Sequence, residues 1–245
     1  MRSAICLYGQ PREFYRNWKR IYDHIVLPNN CDVFFHSWYN PGNRHMKKMC
    51  PGHENRVLPA RLETELHKIT NAKNYKLESQ RNFSIDRGWK ITPQTFDLCW
   101  PWAKVYDKKT FENDRNFAHQ SMWYSISESI RLKEDFATKN SFIYDYVALS
   151  RFDVAPTQPI KFENYDPNVL NSHSENKPRG EISDWFMFAK NDIMNIVSCL
   201  YNCLDFHMKN LSKNNKVTVN EAFLREHMEL FGIKTKINED IKIKF

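Results

Sequence analysis

Long hydrophobic runs are missing from this sequence of 245 residues. The longest apolar stretches, such as Val33–Phe35 and Tyr146–Leu149, fall far short of the roughly 20 residues that a membrane-spanning helix needs. The amino terminus is apolar for only a few residues before Gly9 and Pro11, whereas a secretory signal needs an apolar region of about 7–15 residues. We therefore expect no membrane span, no secretory leader and a cytoplasmic location.

Cysteine motifs and glycine-rich loops are also lacking. The six cysteines are scattered without a CxxC pair, which disfavours a zinc site or a disulfide framework and favours reduced thiols. Only six glycines are present, and none belongs to a GxGxxG or P-loop pattern. The sequence thus argues against the ordinary dinucleotide-binding and P-loop enzymes.

Charge of one sign is not concentrated anywhere in the chain. Basic residues outnumber acidic ones by 36 to 29, a formal net charge of +7, but they are spread along the sequence. No basic stripe or nucleic-acid-binding signature is visible, which argues against nucleic acid, and a phosphate-bearing small molecule fits the charge equally well. Aromatic residues make up 14% of the chain, too many for a disordered protein.

The first third of the chain has the pattern of a strand, a helix and a second strand. Ser3–Tyr8 and Cys31–His36 are short apolar runs typical of buried parallel strands. Between them, Glu13–Leu27 carries apolar residues at helical spacing. Such a βαβ unit predicts the α/β class, with a mostly parallel central sheet flanked by helices.

The rest of the chain is irregular at first and regular afterwards. The segment of about 39–116 is predicted to be a long irregular insertion, in which Leu58–Ile69 is the one candidate helix. We expect residues 1–245 to form one domain around this insertion. The spacing beyond it predicts a helix, two strands, two helices and a strand, in this order: His119–Thr138, Phe142–Ser150, Ser183–Ala189, Asp192–Leu211, Val219–Phe231 and Ile233–Ile237.

The end of the first predicted strand carries the motif Tyr8-Gly9-Gln10-Pro11-Arg12. Ligands of open α/β sheets bind beyond the carboxyl ends of the strands. Gly9 permits close approach of the backbone and Arg12 supplies a permanent cation, so the turn suits a nucleotide or diphosphate. An ordinary strand-to-helix turn with an exposed arginine remains the alternative.

Two further motifs follow strand ends. His36 and Trp38 could contact a ligand, or they could be a hydrogen-bonded histidine and a core tryptophan. Arg151 and Asp153 lie two apart, so they face the same side in extended chain. Asp153 offers the oxygen ligand that Mg²⁺ or Mn²⁺ prefers, while a plain ion pair with Arg151 is the alternative.

Two later acids are candidates for catalytic work. Asp184 opens a predicted strand, and Glu221 lies near the start of a helix. Either carboxylate could accept the proton of an attacking hydroxyl group. The alternatives are a loop-end cap for Asp184 and an acid stabilised by the helix dipole for Glu221.

The motifs, taken in order, resemble one enzyme family. CLYGQPREF, CDVFFHSWYN, HQSMWYSISESIRLKEDF, YDYVALSRFDV and SDWFMFA are similar to segments of GT-A-type glycosyltransferases of large DNA viruses, such as the chlorovirus enzymes of capsid-glycan synthesis, and of bacterial polysaccharide clusters. The resemblance covers most of the chain but little of the segment 39–116. It implies a metal-assisted transfer of sugar from a UDP- or GDP-sugar to an oligosaccharide or glycoprotein hydroxyl.

The resemblance also implies roles for individual residues. Asp153 would bind Mn²⁺ or Mg²⁺ in the place of the Asp-x-Asp signature, whose first aspartate is replaced here by Arg151. By matching position, Gly9, Gln10 and Arg12 would contact the nucleotide, and Ser121, Tyr124 and Ser125 would line the donor pocket. Tyr8, His36 and Arg151 complete the predicted donor-binding residues. Apart from the resemblance, Asp184 is the first candidate for action on the acceptor hydroxyl and Glu221 the second.

Two other functional classes stay open at this point. A sulfotransferase- or nucleotidyltransferase-like enzyme would also be basic and of the α/β class. A carbohydrate- or nucleic-acid-binding module without catalysis would use Trp38, Trp100 and Trp102 as stacking platforms. Release of nucleoside diphosphate from a sugar donor separates a glycosyltransferase from a binding module.

Overall fold

A seven-stranded sheet forms the centre of the part of the chain that the structure describes. The structure is a computed structural model, and it describes residues 1–40, 58, 60–83, 92, 93, 95, 108–173, 182–216 and 218–244, with the side chains of 108, 110 and 111 left aside. In chain order its strands are β1 Ser3–Gly9, β2 Cys31–Trp38, β3 Asn74–Glu78, β4 Tyr146–Arg151, β6 Leu170–His173, β7 Phe186–Lys190 and β8 Thr235–Asn238, while β5 Ala155–Pro156 pairs separately with β9 Ile243–Lys244.

The sheet has the order β3-β2-β1-β4-β7-β6-β8. Four of its neighbouring pairs are parallel, and only the two pairs that include β7 are antiparallel. The predicted α/β class with a mostly parallel sheet is therefore confirmed. Because β7 runs against β4, the start of β7 lies at the same edge as the end of β4.

The predicted βαβ unit is present with its helix divided. The helix α1, Phe14–Ile21, continues through a π turn at Tyr22–Val26 into a last turn, α2, Leu27–Asn29. The chain then reverses at Asn30, whose φ of 47° lies in the left-handed region that asparagine tolerates. The strands β1 and β2 pair in parallel from Ser3 opposite Cys31 onward.

Helices cover both faces of the sheet. They are α3 Leu62–Thr70, α4 Lys108–Lys139, α5 Asn191–Lys213 and α6 Asn220–Leu230. Successive side chains of β1 point to opposite faces of the sheet and pack into two separate hydrophobic cores. Cys6 and Tyr8 pack in the core that includes α4, α5 and α6. Ile5 and Leu7 pack in the core that includes α1 and α3. No helix among the residues described is long and apolar enough to span a bilayer.

Several elements differ from the predicted pattern, since β4 begins at Tyr146 rather than Phe142 and β6 is not predicted at all. The helix α4 begins at Lys108, well before the predicted His119, so it extends into the segment predicted to be irregular. That segment also contains β3, an edge strand that pairs in parallel with β2. In β3, polar residues alternate with Tyr75 and Leu77, and Tyr75 stacks on Phe35 at 5.0 Å; this alternation is the signal that predicts a half-buried strand. Trp100 and Trp102 lie outside the described residues.

Candidate active site

Three of the motifs singled out in the sequence meet at one edge of the sheet. Tyr8, one residue before the end of β1, lies opposite His36 of β2 and also opposite Arg151 of β4. The strands are parallel, so their carboxyl ends open onto one crevice, where α/β proteins bind their ligands. Asp184 and Trp185 reach the same edge from the other direction, immediately before the antiparallel β7.

The turn after β1 requires glycine at its first position. Gly9 has a φ of 92°, a conformation that L side chains rarely adopt. The turn is closed from within, because the Arg12 amide donates to the Gln10 carbonyl at 2.8 Å. The guanidinium of Arg12 also donates to Gln10 Oε1 from Nε at 2.9 Å and from Nη2 at 2.6 Å. Gln10 thus fixes the direction of the cation in its own turn.

A chain of hydrogen bonds anchors this turn to the neighbouring strands. The Gly9 amide donates to Ser125 Oγ at 2.8 Å, and Ser125 Oγ lies 2.7 Å from His36 Nδ1. On the other side of the ring, His36 Nε2 lies 3.0 Å from Glu78 Oε1. A carboxylate only accepts, so Nε2 carries the hydrogen and Nδ1 accepts from the Ser125 hydroxyl. The order from donor to acceptor is therefore Ser125 to His36 to Glu78.

The charges in this chain follow from burial and from its hydrogen bonds. Burial, partly offset by the hydrogen bond to Glu78, lowers the pKa of His36 to about 4, so the ring is neutral at pH 7. Burial acts to raise the pKa of Glu78, but hydrogen bonds from His36, Tyr124 and other neighbours outweigh it and lower the pKa to about 2. The carboxylate is thus a permanent acceptor at the end of the chain.

The predicted donor-binding residues of α4 lie beside this chain. The Tyr124 ring stacks on Trp38 with centroids 5.4 Å apart, and its hydroxyl accepts from Lys76 Nζ at 3.2 Å. Ser121 Oγ accepts from the Gln80 amide at 3.1 Å. Trp38 Nε1 is buried without a hydrogen-bond partner. His36 and Ser125 are fully buried, and their hydrogen bonds hold the Gly9 turn in place. Direct contact of either side chain with a nucleotide donor stays a prediction.

Arg151 and Asp153 form a bidentate ion pair at the end of β4. Arg151 Nε donates to Asp153 Oδ1 at 2.8 Å, and Nη2 donates to Oδ2 at 2.6 Å. The Arg151 amide donates to the Trp185 carbonyl at 3.1 Å, which ties the pair to the start of β7. Burial acts to lower the pKa of Arg151, but the charge and hydrogen bonds of Asp153 raise it overall. The ion pair between Arg151 and Asp153, which the sequence allowed as the alternative to metal binding by Asp153, is therefore present.

The residues around Asp153 do not fit a divalent cation held by the protein. Mg²⁺ and Mn²⁺ need about six oxygen ligands, whereas both oxygens of Asp153 are bound to Arg151. Within the described ranges no group of three or more histidine, cysteine or acidic residues could hold a metal ion. The metal-binding role predicted for Asp153 stays a prediction that these contacts do not favour.

Asp184 has an unusual environment for a carboxylic acid. Its backbone carbonyl accepts a hydrogen bond from the Tyr8 hydroxyl, while its side-chain Oδ1 is buried without a hydrogen-bond partner. Burial and the nearby charge of Glu221 raise the pKa of Asp184 to about 8, although Arg151 acts in the opposite direction. The side chain is therefore mostly protonated at pH 7, and its ionised, basic form predominates above about pH 8.

Glu221, the second candidate acid, lies in the first turn of α6. Its charge acts on both Asp184 and Tyr8, so the fold brings the two acids together from distant parts of the chain. The neighbouring Asn220 also lowers the pKa of Asp184 through a hydrogen bond to its side chain. Asn220 Oδ1 is in turn held by His119 Nδ1 at 2.6 Å and Trp123 Nε1 at 3.2 Å.

This edge also contains four residues that were not among the predicted site residues, namely Trp185, Glu78, Asn220 and His173. Glu78 ends a strand that lies in the segment predicted to be irregular, and its alternation with apolar neighbours is the signal that marks it. Asn220 has no signal beyond its position before Glu221. His173 ends β6 and stacks on Trp185 with centroids 5.6 Å apart, but no pattern in the sequence predicts β6.

Comparison with known proteins gives matches among solved structures alone. No family model matches the chain, and no curated protein matches it. The chain is similar to glycosyltransferase GlyE of Streptococcus pneumoniae TIGR4, with a TM-score of 0.46 and 10% identity over 98% of this chain and 46% of GlyE. It is also similar to the apo form of mouse xyloside xylosyltransferase 1, with a TM-score of 0.43 and 9% identity over 97% of this chain and 85% of that enzyme. The chain thus spans about half the length of GlyE.

Proposed function

We propose that this protein is a glycosyltransferase that moves a sugar from a nucleoside-diphosphate donor to a hydroxyl acceptor. The observation that carries the proposal is the buried carboxyl of Asp184, whose Oδ1 has no hydrogen-bond partner and which lies within electrostatic reach of the Arg151 guanidinium. A base for the incoming hydroxyl and a cation for the departing diphosphate are the two groups that this transfer needs. Both lie at the edge where α/β sheets bind ligands.

The donor is assigned to the side of the crevice formed by the ends of β1 and β4. The Gly9 turn lets the backbone approach a diphosphate closely, and Arg12 in that turn and Arg151 opposite Tyr8 would supply positive charge to it. Negative charge grows on the diphosphate as its bond to the anomeric carbon breaks. Cations that are already oriented stabilise that charge without reorganisation, which is the main source of rate enhancement in this account.

The acceptor is assigned to the side of Asp184. Its hydroxyl oxygen attacks the anomeric carbon, the bond from that carbon to the diphosphate breaks, and the hydroxyl proton passes to Asp184. Only the ionised carboxyl can take the proton, and with a pKa of about 8 that form becomes dominant above pH 8. The Tyr8 hydroxyl holds the backbone of Asp184, so Tyr8 positions the base.

The test is a transfer assay with a panel of UDP- and GDP-sugars and mixed oligosaccharide acceptors. Expected results are release of nucleoside diphosphate and a mass increase of one sugar on an acceptor. Asp184→Asn should reduce the rate of both by about 100- to 10,000-fold, whereas Asp135→Asn, at an exposed ion pair with Arg131, should leave both unchanged. Absence of turnover with every donor contradicts the proposal and favours a binding module, and turnover of a sulfuryl donor instead favours a sulfotransferase.

A further inference from the structure

We propose that the guanidinium of Arg151, oriented by Asp153, takes the place of a divalent cation, so that the donor diphosphate binds without metal. This inference rests on the proposed function and goes one step further, because it assigns the counter-charge of the diphosphate to a side chain. It departs from the metal-assisted transfer that the sequence resemblance implies. The departure follows from the contacts of the two side chains.

The pair is preassembled in a geometry that suits an anion. A guanidinium presents five N–H donors in a planar fork that matches a carboxylate or a phosphate. Asp153 takes one donor from Nε and one from Nη2, at 2.8 and 2.6 Å, which fixes the plane of the fork. The Trp185 carbonyl holds the Arg151 backbone at 3.1 Å. The cation is thus oriented before any ligand arrives, as a bound metal would be.

The position of Arg151 matches the place where the diphosphate is needed. Arg151 lies opposite Tyr8, the residue immediately before the Gly9 turn. Its charge also acts on Asp184, the proposed base. A diphosphate bound at the Gly9 turn would therefore lie next to the strand end that carries this cation.

A divalent cation at the same place would compete with this arrangement. To bind Asp153 it must displace the guanidinium from at least one carboxylate oxygen. It would then lie beside a fixed positive charge, an arrangement that like-charge repulsion disfavours. The described part of the chain contains no cluster of three or more metal-ligating side chains that could compensate for the lost contacts between Arg151 and Asp153.

Calorimetric titration of the wild-type protein with UDP and with GDP tests the inference, once in 1 mM EDTA and once in 1 mM MnCl₂. The affinity for the preferred nucleotide should agree within about threefold between the two conditions. Arg151→Gln should weaken binding about 10- to 100-fold in EDTA, since hydrogen bonds to charged groups are worth about 1.5–3 kcal/mol. Arg131→Gln, at an exposed ion pair on α4, is the matched control and should bind as the wild type does.

The outcomes separate this inference from the proposed function. Binding that needs Mn²⁺ overturns the inference and leaves the glycosyltransferase proposal standing. Binding of neither nucleotide in either condition overturns both. The comparison on the wild-type protein needs no variant, so the inference remains testable if Arg151→Gln fails to fold. Manganese EPR of the protein alone adds a direct readout, because a tight Mn²⁺ site that Asp153→Asn removes would also overturn the inference.

Discussion

Replacing Asp184 with asparagine should remove activity and stabilise the fold at the same time. The side chain is 3% exposed, and Oδ1 has no hydrogen-bond partner. Burial beside Glu221 raises the pKa of Asp184 to about 8, so ionisation of this group is costly in the folded state. Asparagine has nearly the same shape but cannot ionise, so the variant avoids that cost and loses the base.

The size of the effect follows from proton linkage. An unfolded aspartate ionises near pH 4, whereas the pKa of Asp184 in the fold is about 8. Between these values the unfolded chain has released a proton that the folded protein keeps, so the free energy of unfolding falls as the pH rises. As an upper limit, the fall is about 1.5 kcal/mol at pH 5 and about 4 kcal/mol at pH 7, since each pH unit between the two pKa values costs about 1.4 kcal/mol.

Urea unfolding of wild type and Asp184→Asn at pH 5 and pH 7 measures this difference. The variant should gain more stability at pH 7 than at pH 5, and its melting temperature at pH 7 should rise by up to about 10 °C. Its turnover should fall by about 100- to 10,000-fold, the usual contribution of a general base. The reasoning is refuted if the two proteins lose stability in parallel as the pH rises, or if the variant turns over normally. Asp135→Asn is the control, because its carboxyl is exposed.

The remaining predictions concern the pH profile and the turn after β1. The kcat/KM of the wild type should rise with pH and level off above a midpoint near 8, where Asp184 ionises; a profile that falls over pH 6–9 would contradict its role as base. Gly9→Ala should cost about 1–3 kcal/mol in urea unfolding because φ is 92°, although no atom lies within 4 Å of the added methyl group; an unchanged midpoint would show that the turn is unstrained. Ser125→Ala should also cost about 1–3 kcal/mol because it leaves the Gly9 amide and His36 Nδ1 without a buried partner. Its control, Ser129→Ala, removes only a bond to the carbonyl of Ile126 in the same helix, and equal losses in both variants would refute the anchoring role of Ser125.

The parts of the fold that follow from local pattern were predictable from sequence. Ser3–Tyr8 and Cys31–His36 are apolar runs bounded by turn residues, and they form β1 and β2 with nearly these bounds. Because both strands are buried on two sides, their composition differs clearly from that of a helix or a loop. Gly9 and Arg151 directly follow two such apolar runs, so they are predicted to lie at strand ends. Parallel pairing of β1 with β4 then brings them to one edge of the sheet.

The parts that depend on topology were not predictable. Asp184 reaches the edge only because β7 runs antiparallel to β4, and no local pattern states the direction of a strand. Its proximity to Glu221 likewise depends on the packing of α6 against the sheet, which involves residues far apart in sequence. The partner of His36, Glu78, lies on an edge strand whose alternating residues mark a strand but do not say which strand it pairs with. Tertiary contacts therefore decide which polar residues become the site.

A crystal structure of the protein with a bound nucleoside-diphosphate sugar would locate the donor itself. The diphosphate should lie between the Gly9 turn and the guanidinium of Arg151, with the anomeric carbon facing Asp184. A donor bound away from this edge, or with its sugar turned away from Asp184, would rule out the proposed site.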